Sequence, residues 1–159
     1  VDFQGAVRAL SDARLAEGTR LADLVDQQLT TISELTQAAS QAAAAQPEQI
    51  REKVRQQITD MLGSAPPLPE ERLAQEAAVL ATKADIREEL DRLNAHVAAA
   101  RDLLAAGSPI GRKFDFLAQE FNREANTFCS KVTDVGLKNM GLDLKAVIEQ
   151  MREQIQNIE

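Results

Sequence analysis

The residues best suited to chemistry in this 159-residue sequence are Asp85, Glu89, Arg92 and His96. Their spacing of four, three and four residues places all four on one flank of a helix. Carboxylates and an imidazole on one flank could hold a divalent cation or supply acid–base groups, and a guanidinium group suits a phosphate. The alternative is a solvated flank that carries a Glu89–Arg92 ion pair and an incidental histidine.

A second pair of carboxylates, Glu120 and Glu124, stands four residues apart on a later helix. Repulsion between the two would be relieved by a metal ion, or by Arg or Lys from a neighbouring helix in an ordinary salt-bridge network. The metal hypothesis gives His96, Glu120 and Glu124 catalytic roles, with His96 as ligand or acid–base group. Its predicted metal ligands are Glu89, His96, Glu120 and Glu124.

Polar side chains also cover more of the 111–131 segment than a single core-facing helix needs. An apolar stripe of Phe114, Leu117, Phe121, Ala125 and Phe128 predicts the buried face. The opposite face offers hydrogen-bond donors for phosphates and base edges and an aromatic ring that can stack on a base. Burial of that face against another subunit is the competing interpretation, since interfaces are enriched in Arg and aromatic residues. The predicted RNA-binding residues are Arg92, Arg112, Phe116, Gln119, Arg123 and Asn126.

Apolar residues recur at helical spacing along the whole chain, and no segment shows the alternation of a strand. These patterns predict an all-α fold without a sheet, an elongated bundle of antiparallel hairpins with long helices. Residues 1–64 are predicted to form a long helical hairpin arm, 65–69 a proline-rich joint and 70–159 a C-terminal helical domain. The alanine-rich arm buries few large side chains, so we expect it to depend on partners.

The Gly107–Pro109 turn is short enough to fold the helices on either side of it into an antiparallel pair. His96 and Glu120 lie at about equal distances from this turn, so they could be level in such a pair. Glu89 would lie farther along the pair, and Glu124 is its expected neighbour. The geometry therefore disfavours one site made of all four residues within a single chain.

Net charge, cysteine count and hydrophobicity limit the classes of function that this sequence can have. A formal net charge of −7 and a pI near 4.8 argue against binding nucleic acid by bulk electrostatics. The single cysteine, Cys129, cannot form an internal disulfide and is expected to be a small core residue. No apolar run approaches the roughly 20 residues that span a bilayer. We therefore expect a cytoplasmic location and no membrane partner.

Residues 111–131, with the C-terminal segment QMREQIQNIE, resemble the C-terminal end of the YicC/YloC family. The segment DIREELDRL at 85–93, followed by His96 and Val97, is similar to that family's pattern as well. The resemblance implies a divalent-metal-dependent endoribonuclease that uses manganese or magnesium and takes RNA as substrate. It also implies a homo-oligomeric ring, a hexamer in the full-length protein, and an N-terminal α/β region that this sequence lacks.

The sequence is thus interpreted as the C-terminal part of an enzyme that cleaves RNA phosphodiester bonds with the help of a divalent cation. A second interpretation belongs to another class of protein. It is a non-catalytic helical module that mediates oligomerisation or positions RNA, with the chemistry on the N-terminal region.

Overall fold

The computed structural model describes residues 3–44, 46–62, 69–83, 85–107 and 110–156. Within these ranges the chain forms six helices and no strand, which confirms the all-α prediction. None of the described helices is long and apolar enough to cross a membrane. The helices are α1 (Phe3–Ala44), α2 (Gln46–Leu62), α3 (Glu70–Lys83), α4 (Arg87–Ala106), α5 (Gly111–Lys131) and α6 (Val135–Gln156).

Four of the helices form an antiparallel bundle in which α1 contacts α4, α4 contacts α5, α5 contacts α6, and α6 contacts α1. The direction of α1 relative to α4 follows from two contacts. Asp26 accepts a hydrogen bond from Arg101 at 3.1 Å near one end, and Ala39 shares a cluster with Ile86 at the other. The core is aliphatic apart from the phenylalanines of α5. Its fully buried large side chains include Leu29, Ile32, Leu93, Phe114, Phe121, Leu144, Ile148 and Met151.

The core extends into the segment that the sequence predicts to be an arm. Side chains of α1 from Leu21 to Ala39 are buried between α4 and α6. Thr36 is fully buried there. Its hydroxyl donates a hydrogen bond to the carbonyl of Ile32 at 2.7 Å, so the buried polar group has a partner within its own helix. Residues 3–20 of α1 are all exposed. Only this first part of α1 lacks the packing that the bundle provides.

Helix α2 forms the second half of the predicted arm. Helix α2 packs mainly on α3, and it contacts α1 at only a few positions. The α2–α3 hairpin is therefore an insertion between two neighbouring helices of the bundle. Residues 63–68, which hold most of the predicted joint, lie outside the described residues. The domain division at 65–69 stays a prediction.

An aspartate accepts a backbone hydrogen bond at the start of α4 and another does so at the start of α6. Helix α4 begins just after Asp85 and Ile86, and no side-chain hydrogen bond caps it at Ile86. Asp85 accepts hydrogen bonds from the backbone and side chain of Arg87, which lowers the pKa of Asp85 to about 2. At the start of α6, the Asp134 carboxylate accepts from the backbone N–H of Leu137 at 2.9 Å, as an N-cap residue does.

The seam between α5 and α6 depends on Gly141, which is buried in α6. A Cβ atom at this position would lie 2.6 Å from the Sγ atom of Cys129 and 2.9 Å from the ring of Phe128. The half-buried Cys129 thus packs in the seam as a small side chain, and burial raises the pKa of its thiol. Glycine has a low helix propensity, but Gly141 is the residue that allows α5 and α6 to approach closely.

We predict that Gly141→Ala lowers the free energy of unfolding by about 1–3 kcal/mol, because the seam must shift to admit a methyl group. Gly18→Ala is the matched control. It lies in an exposed part of α1 with no atom within 4 Å of the added Cβ, so it should stabilise the helix by about 0.5–1 kcal/mol. Urea denaturation measures both. Equal stability of the two variants would contradict a close contact at Gly141.

Candidate functional site

The antiparallel pair α4–α5 brings together His96, Glu120 and Glu124. One ligand atom of each lies within 4.8 Å of those of the other two, the only such group of His, Cys, Asp and Glu in the described part of the chain. We call these three residues the carboxylate–imidazole cluster. Glu120 is level with His96 because each stands a similar number of residues from the reversal between the helices. Glu124 follows one turn later on the same flank of α5.

The imidazole of His96 is held against the core and has an unused nitrogen. Its ring meets Phe121 edge to face, with centroids 5.5 Å apart and planes at 67°. The Nε2 atom is buried, and no hydrogen-bond partner for it exists among the described residues. Buried polar atoms are nearly always paired with protein, water or an ion. This nitrogen therefore needs a partner that the described protein atoms do not supply.

Arginines contact both carboxylates of the cluster. The Glu124 side chain is only 4% exposed, and its Oε1 atom accepts a hydrogen bond from Arg92 at 3.3 Å. Arg92 also pairs with Glu88, and these acids raise the pKa of its guanidinium group. Glu120 lies 3.8 Å from Arg123. The salt-bridge network considered from the sequence is thus present, but it leaves the His96 nitrogen without a partner.

Glu89 is not part of the cluster, although the sequence groups it with His96, Glu120 and Glu124 as a metal ligand. Its carboxylate is 4% exposed and accepts two hydrogen bonds from Lys131, at 2.9 and 3.1 Å. Glu89 and His96 share a flank of α4 but are seven residues apart, which is roughly 10 Å along the axis. That separation places Glu89 beside the end of α5. Asp85, paired with Arg87, does not reach the cluster either.

The predicted RNA-binding side chains of α5 lie on its exposed face, while the predicted apolar stripe is buried. Phe116 is 64% exposed and Arg123 is 70% exposed. We call this surface the α5 polar face; it consists of Arg112, Phe116, Gln119, Arg123 and Asn126. The sixth predicted residue, Arg92, lies apart on α4, where it lines a cavity of about 630 Å³ with Lys131.

A shallow groove runs along the α6 side of the α5 polar face, with a volume of about 740 Å³. Three of its residues were not identified from the sequence. Asn122 continues the amide row of α5 at helical spacing, a signal that could have been used, whereas the position of Arg152 depends on how α6 crosses α5. We call it the α5–α6 groove; it is lined by Gln119, Asn122, Arg123, Asn126, Thr127 and Arg152.

The fold and site define an α-helical bundle protein with a carboxylate–imidazole cluster beside a surface rich in amide and guanidinium groups. Residues 39–159 match the family model described as endoribonuclease YicC-like, C-terminal. The chain belongs to this family, which is one of RNA-cleaving proteins.

Two curated relatives carry the name "Probable endoribonuclease YicC". The one from Clostridioides difficile (strain 630) is 35% identical over 156 residues, which are 98% of this chain and 53% of the relative. The one from Haemophilus influenzae (strain ATCC 51907 / DSM 11121 / KW20 / Rd) is 40% identical over 143 residues, 90% of this chain and 49% of the relative. The chain thus spans about half the length of these relatives.

The Glu89–Lys131 pair should stabilise the fold. Lys131→Met leaves a buried carboxylate without its partner, so we expect a loss of roughly 1–3 kcal/mol in the free energy of unfolding. Adding Glu89→Gln to that variant should restore part of the loss, since the unpaired charge is gone. Urea denaturation of the single and double variants gives the coupling energy. Strictly additive losses would show that the two side chains do not interact.

Proposed function

We propose that this chain is part of a divalent-metal-dependent endoribonuclease and that His96, Glu120 and Glu124 hold the cation. The observation that carries the proposal is that His96 lies in a group with two carboxylates while its buried Nε2 atom has no partner among the described residues. A metal ion would complete the coordination of that nitrogen and offset the two negative charges. The shared flank of α4 and α5 supports the proposal, because it gathers ligands from two rigid helices.

The donor set suits Mn²⁺ better than Mg²⁺. Carboxylate oxygens are ligands for both ions, but an imidazole nitrogen is a ligand that Mg²⁺ rarely takes. When bound, such a cation supplies charge neutralisation for a phosphodiester group and lowers the pKa of a coordinated water. The choice of manganese and an acid–base role for His96 remain part of the proposal, whereas Glu89, a predicted ligand, is paired with Lys131 outside the cluster.

The arginines around the cluster are proposed to position the RNA backbone. Arg92 and Arg123 each contact a cluster carboxylate while half or more of their side-chain surface stays exposed. A phosphate that approaches the cluster would therefore meet guanidinium groups first, which offsets the repulsion expected from a chain of net charge −7. Arg112 and Phe116 would extend this contact along α5 by charge and by base stacking.

The alternative function is an RNA-positioning or oligomerisation module without chemistry of its own. The arginine contacts to Glu120 and Glu124 favour it, because they give both carboxylates counter-charges without a metal ion. RNA as partner, assembly into a homo-oligomer such as a hexamer, and a cytoplasmic location belong to both versions of the proposal. The two versions differ in whether Mn²⁺ binds at the cluster.

The metal site is tested with His96→Ala, Glu120→Gln and Glu124→Gln. Each removes one ligand and should weaken Mn²⁺ binding at least about tenfold in isothermal titration calorimetry. The glutamine variants should also lose Mn²⁺-dependent cleavage of a labelled RNA by orders of magnitude and keep nearly normal RNA affinity, because an amide keeps the shape and loses the charge.

Glu76→Gln, at an exposed position of α3, is the control for loss of one carboxylate and should behave as the unmodified chain. Cleavage is measured with the 159-residue chain alone and joined to the rest of a full-length protein. Normal cleavage by both glutamine variants, or full activity in a chelator, would eliminate the site. If the 159-residue chain alone binds Mn²⁺ but does not cleave RNA, further groups that cleavage requires lie in the rest of the full-length protein.

The α5 polar face is tested with Arg112→Ala/Arg123→Ala. Loss of two phosphate contacts should weaken RNA binding and flatten its salt dependence by about one released counterion for each arginine. Arg8→Ala/Arg72→Ala removes the same charge at exposed positions of α1 and α3 and should leave the slope unchanged. Normal RNA binding by the first variant, together with smaller species in sedimentation, would show that the face is a subunit interface.

A further inference from the structure

The α5–α6 groove combines neutral amides with the guanidinium groups of Arg123 and Arg152, whereas the cluster consists of carboxylates and an imidazole. Gln119, Asn122 and Asn126 follow one another at intervals of three and four residues, so their amides form a row along one face of α5. Hydrogen bonds order this row. Asn126 donates to Asn122 at 2.9 Å, and Gln119 donates to Asp115 at 3.0 Å.

The ordered amides keep hydrogen-bonding capacity for a ligand. A side-chain amide has two N–H donors and a carbonyl oxygen with two lone pairs. The bonds described for Gln119 and Asn126 use one N–H of each. A carbonyl oxygen and a second N–H of each amide remain, and this donor–acceptor pairing is complementary to the edge of a nucleobase. A phosphate offers acceptors only, so it would leave the amide carbonyl oxygens without a donor.

Arg152 of α6 provides an independent indication of a ligand. Its Nε atom is buried and has no hydrogen-bond partner among the described residues, although the terminal nitrogen of its guanidinium lies 3.6 Å from Glu149. A buried N–H without an acceptor is costly, and native proteins usually satisfy it. Arg152 lines the groove, so a carbonyl oxygen of a base or a backbone oxygen of a nucleic acid could accept from it.

Arg123 connects the groove to the cluster. It lines the groove and also lies 3.8 Å from Glu120. At about 100° per residue, Asn122 and Asn126 lie on the flank of α5 opposite to Glu120 and Glu124, which is about one helix diameter, or 10 Å, away. An RNA strand that crosses α5 could place a base in the groove and a phosphodiester group at the cluster.

We infer that the α5–α6 groove is a subsite for an unpaired nucleobase of the RNA substrate. The inference rests on the proposed function and adds that the substrate is single-stranded where it crosses α5. Bases of a duplex use their Watson–Crick edges for pairing, and the deep, narrow major groove of an A-form helix is closed to side chains. An unpaired base presents its edge to Gln119, Asn122 and Asn126.

The test uses Gln119→Ala/Asn126→Ala, two exposed positions whose truncation spares the core. Fluorescence anisotropy is measured in EDTA, so that no cleavage occurs, with a single-stranded RNA, a hairpin duplex of the same composition, and the single strand with abasic sites. The variant should bind the single strand at least about tenfold more weakly, with an unchanged salt slope, and bind the duplex normally. Abasic RNA should show no difference between variant and unmodified chain.

Asn94→Ala/Asn139→Ala removes two exposed amides of α4 and α6 outside the groove and should have no effect. Normal affinity of the groove variant for the single strand, or equal losses for strand and duplex, would overturn the subsite. A change in sedimentation with RNA binding intact would overturn it in favour of a protein interface. Mn²⁺ binding and cleavage by the same variant distinguish the subsite from the metal site. If both are normal and RNA affinity is also unchanged, only the subsite is refuted.

Discussion

The register between α4 and α5 is the constraint on which the site depends. The two helices pack through fully buried side chains such as Leu93 and Phe121, and this packing fixes which residues face each other. Glu89 meets Lys131, Arg92 meets Glu124, and His96 meets Glu120 one turn farther along. A shift of one helical turn would move each pair by about 5.4 Å and break all of these contacts together. The hydrophobic core thus determines the electrostatics of the site.

Charge balance within this register explains how an acidic chain buries carboxylates. Glu89 and Glu124 are almost fully buried, and each is paired with a basic residue on the neighbouring helix. Burial of an unpaired carboxylate would be strongly unfavourable. Lys131 uses both oxygens of its partner, whereas Arg92 contacts one oxygen of Glu124 and divides its donors with Glu88. The second pair is the looser one, and it is the one at the cluster.

The sequence predicts the elements well and the pairings between distant elements less well. The helical period of α5 correctly separates the buried stripe from the exposed polar face, and the position of the turn after α4 explains why His96 and Glu120 are level. The same reasoning places Glu89 farther along the axis, but it does not identify Lys131 as its partner. That pairing depends on how the end of α5 packs beside α4.

Contacts between α5 and α6 could not be predicted for a related reason. They depend on the close approach at Gly141, and the sequence shows this residue only as a weakness in a helix. The groove that includes Arg152 depends likewise on how α6 crosses α5. In the same way, small buried side chains such as Ala39 and Thr36 join α1 to the bundle, although hydrophobicity alone does not distinguish them from surface residues.

Helix α1 continues without interruption from its exposed first part into the core. The hydrogen bonds of residues 3–20 are supported only by local helix propensity, whereas those between Leu21 and Ala39 are supported by the core. One continuous helix therefore has two levels of protection. Backbone amides near Phe3 should exchange rapidly with solvent, because that end of the helix frays. Amides near Ile32 should exchange only when the whole bundle unfolds, so the stability of α1 decreases along its length with distance from the bundle.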